Sequence, residues 1–336
     1  MIKVVMDCFG GDHSPNANVE GALRALEEMN DLEIILTGDE KALSAKLMGR
    51  KYDVKRLSIV HAPEVISCNE APTLSVFHKK ESSLVKALDL LRLDPTVNGL
   101  VSLGSTGALL VGSVVKIGKI EGVHRPAFCP IMPTMNRDIV GLCDSGASAD
   151  CTPDELLQFA LMGSLYLEKA YGKAKPRVAL LNIGTEEEKG DTLRKATFPL
   201  LKEQAGLNYV GNMESRDFLS GKYDLVVADG FSGNILLKST EGTALEMLKL
   251  LKRTFTSSLR AKIGALFLKK DIYDIKDFMD YNNYGGAVML GLKKTVVKGH
   301  GSSKAVSVYH CLKQVYSMEK NHLCESIGNA INATKK

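Results

Sequence analysis

Five times along this chain a short apolar run ends in a loop rich in Gly, Ser, Thr or Asn, and a helical pattern follows. The first case is Val4-Val5-Met6-Asp7-Cys8-Phe9-Gly10-Gly11-Asp12-His13. The others are Gly104-Ser105-Thr106-Gly107, Asp144-Ser145-Gly146-Ala147-Ser148, Asn182-Ile183-Gly184 through Lys189-Gly190, and Asp229-Gly230-Phe231-Ser232-Gly233-Asn234. Runs of this kind suit buried strands, and their alternation with helices argues for one mostly parallel sheet with helices on both faces. The expected strands are Ile2–Met6, Leu32–Leu36, Leu57–His61, Gly99–Leu103, Ile139–Cys143, Arg177–Ile183 and Leu225–Asp229. Helices are expected from Pro15 with Ser14 as cap, over Ser82–Leu93 and Ala108–Lys116, and from the capping box Thr152-Pro153-Asp154-Glu155. Two more are expected from about Thr192 and about Asn234. In one parallel sheet all strand carboxyl ends share an edge, so the five loops are expected to converge.

That edge suits an anion. Glycine lets the backbone approach a ligand closely, and helix N-termini present free N–H groups and partial positive charge. Neither a P-loop nor a dinucleotide fingerprint occurs, so phosphate is the expected ligand without a nucleotide signature. Lys189, between acids and a glycine, is a phosphate clamp or a surface lysine. Glu186-Glu187-Glu188 reads as a solvated charge run rather than a metal site. Near the end stand Tyr284-Gly285-Gly286-Ala287 and Lys298-Gly299-His300-Gly301-Ser302-Ser303. A histidine between two glycines has no regular element to pack into, which marks His300 as a site candidate.

Composition excludes several classes. A net charge of +4 over 336 residues gives no electrostatic case for nucleic acid, and the absence of tryptophan removes the strongest stacking platform. The 7 cysteines make an odd number with no C-x-x-C pair, which suggests scattered thiols in a reducing compartment, not disulfides or zinc. No signal peptide or membrane-spanning run is read. No cofactor and no metal are expected.

Taken in order, these motifs resemble the bacterial acyl-carrier-protein:phosphate acyltransferases of phospholipid synthesis. The resemblance spans essentially the whole chain. It rests on Gly10-Gly11-Asp12-His13, Gly104 to Gly107, Asp150-Cys151 with the capped helix, and Asn182-Ile183-Gly184 to Gly190. It also rests on Asp229-Gly230-Phe231 with Gly233-Asn234, on Tyr284-Gly285-Gly286-Ala287, and on His300-Gly301-Ser302. Cys8-Phe9 and Ser105 depart from the family pattern, which has alanine-methionine and asparagine there. The resemblance implies a three-layer α/β/α fold with a Rossmann-like sheet, related to the phosphotransacetylases and the isocitrate/isopropylmalate dehydrogenases. It implies transfer of a long fatty acyl group from acyl carrier protein to inorganic phosphate. It implies a homodimer in the cytoplasm, associated peripherally with the inner face of the membrane beside the glycerol-3-phosphate acyltransferase that consumes the acyl phosphate.

For that reaction the sequence offers His13, Lys189 and His300 as catalytic candidates. Either histidine donates to the oxyanion or the departing sulfur, and Lys189 lowers the charge repulsion. Gly10, Gly11, Asp12, Gly104, Ser105, Thr106, Gly107, Asn182, Gly184, Asp229, Gly230, Asn234, Gly301 and Ser302 are the binding candidates. Cys8 and Cys151 are not read as nucleophiles. One catalytic domain is expected over 1–331, with a tail at 332–336 and a helical excursion at 252–280. In that excursion Leu259, Ile263, Leu266 and Phe267 share a helical face flanked by bases, which suits an anionic lipid surface or a packed interface. Three rival readings remain: a phosphotransacetylase-like enzyme using acyl-CoA, a dehydrogenase on the same fold, and a non-catalytic lipid-binding scaffold. The dehydrogenase lacks its aspartate cluster and arginine set in this sequence.

Overall fold

The computed structural model describes residues 1–279 and 281–333. The first half alternates β1 (Ile2–Asp7), α1 (Asn16–Glu28), β2 (Leu32–Gly38), α2 (Glu40–Leu47), β3 (Leu57–His61), α3 (Pro72–His78), α4 (Ser83–Leu93), β4 (Val97–Ser102) and α5 (Thr106–Gly112). Next come β5 (Ala127–Cys129), β6 (Ile131–Pro133), β7 (Ile139–Cys143), α6 (Pro153–Tyr171), β8 (Val178–Asn182), α7 (Thr192–Glu203), β9 (Tyr209–Glu214) and β10 (Leu225–Val227). The chain closes with α8 (Gly230–Thr256), α9 (Leu259–Phe267), α10 (Lys269–Met279), β11 (Ala287–Leu290), β12 (Thr295–Lys298), α11 (Ala305–Lys320) and α12 (Leu323–Ala333).

These strands form two sheets rather than the single one expected: β3-β2-β1-β4-β12-β11-β5, and β6-β7-β10-β8-β9. Most pairings are parallel; β11 runs against both neighbours and β6 runs against β7. The sheets separate at Pro130, the single residue between β5 and β6. Proline cannot donate to a ladder, so it suits the corner where one strand leaves a sheet and the next begins another. Because β5 runs parallel to β12, and β7 runs back toward Pro130, the carboxyl edges of both sheets face each other at this corner. The Leu142 N–H donates to Pro130 O at 3.1 Å, and the Ser145 N–H to Phe128 O at 3.1 Å. One apolar cluster still joins the halves, with Val4, Leu36 and Val101 of one sheet in the same core as Val178, Leu225 and Val227 of the other.

Local chemistry explains several boundaries. The capping box at Thr152 and Glu155 forms, and Gly172 closes α6 in the left-handed region. Ser14 does not cap α1: its hydroxyl donates to Gly11 O, and the cap position falls to Pro15. α5 begins at Thr106, capped by Ser105, and passes into a wider turn over Ser113–Ile117, so the helix expected at Ala108–Lys116 is shifted and split. α8 starts at Gly230, not at Asn234, because the Asp229 carboxylate accepts the Ser232 N–H at 2.9 Å. α12 carries residues 332 and 333 as helix, and 334–336 lie outside the described residues. Among the described residues no helix is long and apolar enough to cross a membrane.

Candidate active site

The glycines at the strand ends first serve loop-against-loop packing. A Cβ on Gly10 would stand 2.4 Å from the Gly104 nitrogen, and one on Gly233 would stand 1.9 Å from the Asp144 carbonyl oxygen. No real side chain tolerates either distance, so these positions bring backbone onto backbone. Beneath them Asp7 accepts the Ser83 hydroxyl at 2.6 Å and the Ser102 hydroxyl at 2.7 Å, and Ser102 Oγ in turn accepts the Gly104 N–H at 3.1 Å. Burial pushes the Asp7 carboxyl up, against those hydrogen bonds. The Asp12 N–H donates to Gly301 O at 2.8 Å, tying the loop after β1 to the loop after β12. In the second sheet Asp144 does the same work: its carboxylate accepts the N–H groups of Phe128, Gly146, Ala147 and Ser148.

Where the two edges meet, a cleft of about 170 Å³ opens. Thr106, Ser145 and Asn234 bring polar side chains to it, Lys298 and Lys238 bring positive charge, Glu241 brings a carboxylate, and His300 brings an imidazole. Lys298 ends β12 and is partly buried; its ammonium donates to the Leu103 and Gly299 carbonyls. Burial pushes it down to about 8, with Asp7 and nearby thiols pulling the other way. Among the described residues no carboxylate pairs with it. Lys238 is one helical turn beyond Asn234 and pairs with Glu241 at 2.7 Å. His300 stands at the rim with Nδ1 2.8 Å from Ser302 Oγ; burial, then Lys238, pushes it down. With Lys238 offset by Glu241, the positive charge of the cleft comes from Lys298.

Of the residues singled out in the sequence, this cleft gathers Thr106, Asn234 and His300 in its lining. Ser105 caps the helix behind Thr106, Ser302 holds His300, and Gly10, Gly11, Gly104, Gly230 and Gly301 pack the surrounding loops. Gly107 fits against Pro72. Asp12 and His13 line a separate shallow pocket with Glu20 and Lys304. Asp229 is buried against Arg194; burial pushes it up, but the Ser232 N–H and the guanidinium outweigh this and hold it down. The loop after β8 lies away from the corner, because β10 and β7 separate β8 from it. There Asn182 Nδ2 donates to Lys189 O at 3.0 Å, Gly184 is buried, and the Lys189 side chain is exposed. Glu186, Glu187 and Glu188 are exposed, as a solvated run. Cys8 is fully buried and burial pushes the Cys151 thiol up to about 12, so neither is a thiolate near neutrality.

Sequence reasoning missed Lys298, Lys238 and Ser145 as site residues. Lys298 has a signal in retrospect: it closes a β-branched run, Thr295-Val296-Val297, just before Gly299. Lys238 has one too, lying four residues after Asn234 and so on the same helical face.

A family model described as "Fatty acid synthesis protein" matches residues 2–326. The chain is 44% identical over 335 residues to the phosphate acyltransferase of Clostridium perfringens (strain ATCC 13124), covering 100% of this chain and 98% of that one. This chain belongs to the phosphate acyltransferase family. It is an acyltransferase. The phosphate acyltransferase of Bacillus licheniformis is 42% identical over 330 residues, covering 98% of both chains. Among solved structures, a phosphotransacetylase from Streptococcus pyogenes superposes with a TM-score of 0.59 at 17% identity, over 95% of this chain and 94% of that one. A branched-chain phosphotransacylase from Enterococcus faecalis V583 gives a TM-score of 0.59 at 16% identity, over 96% and 100%. The phosphate acyltransferase fold here is thus phosphotransacetylase-like.

Proposed function

We propose that this phosphate acyltransferase moves a long-chain acyl group from acyl carrier protein to inorganic phosphate, reversibly, supplying acyl phosphate for phospholipid synthesis. The observation that carries the reading is the cleft at the sheet corner, where Lys298, His300 and the Lys238–Glu241 pair face the polar side chains of Thr106, Ser145 and Asn234. Phosphate is already an anion near neutrality and needs no strong base. One of its oxygens bonds to the thioester carbonyl carbon, the C–S bond breaks, and the thiolate leaves. That thiolate, with a pKa of about 8.5 if it behaves like cysteine, takes a proton from the cleft or from solvent. The task of the site is therefore to hold two reactants together and offset charge. Lys298 binds the phosphate, and Thr106, Ser145 and Asn234 orient it; His300 at the rim donates to the oxyanion or the departing sulfur.

The same proposal places the enzyme as a homodimer at the cytoplasmic membrane face, beside the glycerol-3-phosphate acyltransferase that uses its product. The tip supports the membrane contact: α9 buries no residue, and Leu259, Ile263, Leu266 and Phe267 are exposed beside Lys252, Arg253, Arg260, Lys262, Lys269 and Lys270. Each base near an anionic surface adds about 1 kcal/mol of salt-screened attraction.

The test is direct. The protein is incubated with a long-chain acyl carrier protein thioester and phosphate, and with the matching acyl-CoA. Phosphate-dependent release of free carrier protein, unaffected by a chelator and faster than with the CoA ester, is expected. Turnover of the CoA ester alone would replace the carrier reading with the phosphotransacetylase one.

A further inference from the structure

Beside α8, on the face turned away from the cleft, runs a second and much larger hollow of about 1110 Å³. It lies just above the usual size range of small-molecule pockets, which ends at about 1,000 Å³. Ser232, Leu236, Thr240, Thr243, Met247 and Leu251 line it, at spacings of three and four that form one stripe of the helix. The stripe is about 28 Å long at 1.5 Å per residue, enough for the extended chain of a common membrane fatty acid. Leu181, Phe218 and Leu219 form the facing wall. The middle of the floor is small: Ala244 is there, and the Thr240 hydroxyl is turned to the Leu236 carbonyl at 2.8 Å, which leaves a methyl for the groove.

We propose that this groove holds the fatty acyl chain of the donor, which enters past Ser232 and Arg194 and runs with its tail toward Leu251. The charges point to a neutral hydrocarbon. Asp191 and Arg194 pair at the mouth at 3.0 Å, Arg216 at the rim pairs with Glu214, and no other charged residue lines the trough. The mouth and the cleft lie on opposite sides of the first turn of α8, where Ser232 lines the groove and Asn234 the cleft. A single donor that reaches both crosses that turn at the exposed Phe231, with its carbonyl over Asn234 and its chain down the opposite face. The far end, Leu251, precedes the exposed apolar residues of α9, so a chain leaving that end meets apolar surface. This inference rests on the acyl-transfer reading above.

Two measurements test it separately from that reading. Ala244→Phe blocks the floor midway. Losing three to four buried methylenes, each worth about fourfold (about 0.8 kcal/mol), lowers kcat/KM for a sixteen-carbon donor about 100-fold and leaves a four-carbon donor unchanged. Independently of turnover, Leu248→Trp gives the chain its only tryptophan, at the groove's far half. A brominated long-chain fatty acid is expected to quench that tryptophan, and Ala244→Phe in the same chain to abolish the quenching. Equal losses for both donors, or no quenching in an active Leu248→Trp enzyme, would overturn the groove assignment and leave the reaction standing. So would a fall in sedimenting mass with chain preference intact, which makes the groove a contact between two copies. Quenching without any acyl transfer would sink the reaction and keep the groove.

Discussion

The sheet corner and the arm built from α8, α9 and α10 use the same residue types for opposite ends. At the corner, glycine is where backbone meets backbone: Gly10, Gly230 and Gly233 each leave under 3 Å for a Cβ. Along the arm, Gly242 and Gly264 have nothing within 4 Å. Apolar side chains divide likewise. Val227, Cys143 and Val297 beneath the corner are fully buried, whereas Leu266 is 69% and Phe267 83% exposed. The corner holds charges in fixed places, as a site that must offset developing charge requires. The arm presents surface that gains only when something covers it. A single α8 serves both, its first turns set in the corner and its last ones clear of the core.

The contrast can be broken by moving a methyl group. Gly233→Ala is expected to destabilise the fold by about 4 kcal/mol or more, because a Cβ there displaces the Asp144 backbone. Gly264→Ala, inside an open helix, is expected to stabilise it by about 0.5–1 kcal/mol. Chemical denaturation of both variants checks the pair, and equal effects would erase the distinction. Charge gives the next test. Lys298→Met removes one charge-assisted contact and should raise the phosphate KM by roughly 10- to 100-fold, or about 1.5–3 kcal/mol. Lys189→Ala, exposed on the far loop, should raise it less. The pH dependence sharpens this. Lys298 is protonated below about 8 and loses its charge above, so phosphate saturation should weaken as pH rises through that value. Lys298→Arg, charged throughout, should flatten the profile. The smallest effect on stability belongs to Leu266→Glu, within about 0.5 kcal/mol, since its side chain contacts little. Yet that variant should lose salt-sensitive binding to anionic vesicles while keeping soluble activity. Loss of fold or of oligomer with vesicle binding intact would mean that α9 packs against protein instead.

Legibility in the sequence followed the length of the signal. β1, β2 and α6 carry long apolar runs or a full capping box, and they stand where the pattern places them. The division into two sheets was not readable, because it turns on β5 and β6, of three residues each. Such runs are too short for periodicity, and only pairing across the chain tells an edge from a corner. Lys298 escaped for the same reason, ending a strand of four residues, too short for periodicity to mark. The convergence of Thr106, Asn234 and His300 was legible as strand-end chemistry. The position of Lys189 was not, since sequence order does not reveal that two strands separate β8 from the corner. The start of α8 was visible after all, in an aspartate followed three residues later by the N–H it caps. The groove left no single motif, only a stripe along α8 whose facing wall comes from elsewhere in the chain.

The corner cleft as the phosphate site is tested most directly by phosphate kinetics. Initial rates of carrier-protein release from a long-chain acyl thioester, over a range of phosphate concentrations, compare wild type with Lys298→Met at pH 7. The account predicts a phosphate KM raised at least 10-fold, roughly 1.4 kcal/mol, with the thioester KM unchanged. An unchanged phosphate KM in the folded variant would contradict it.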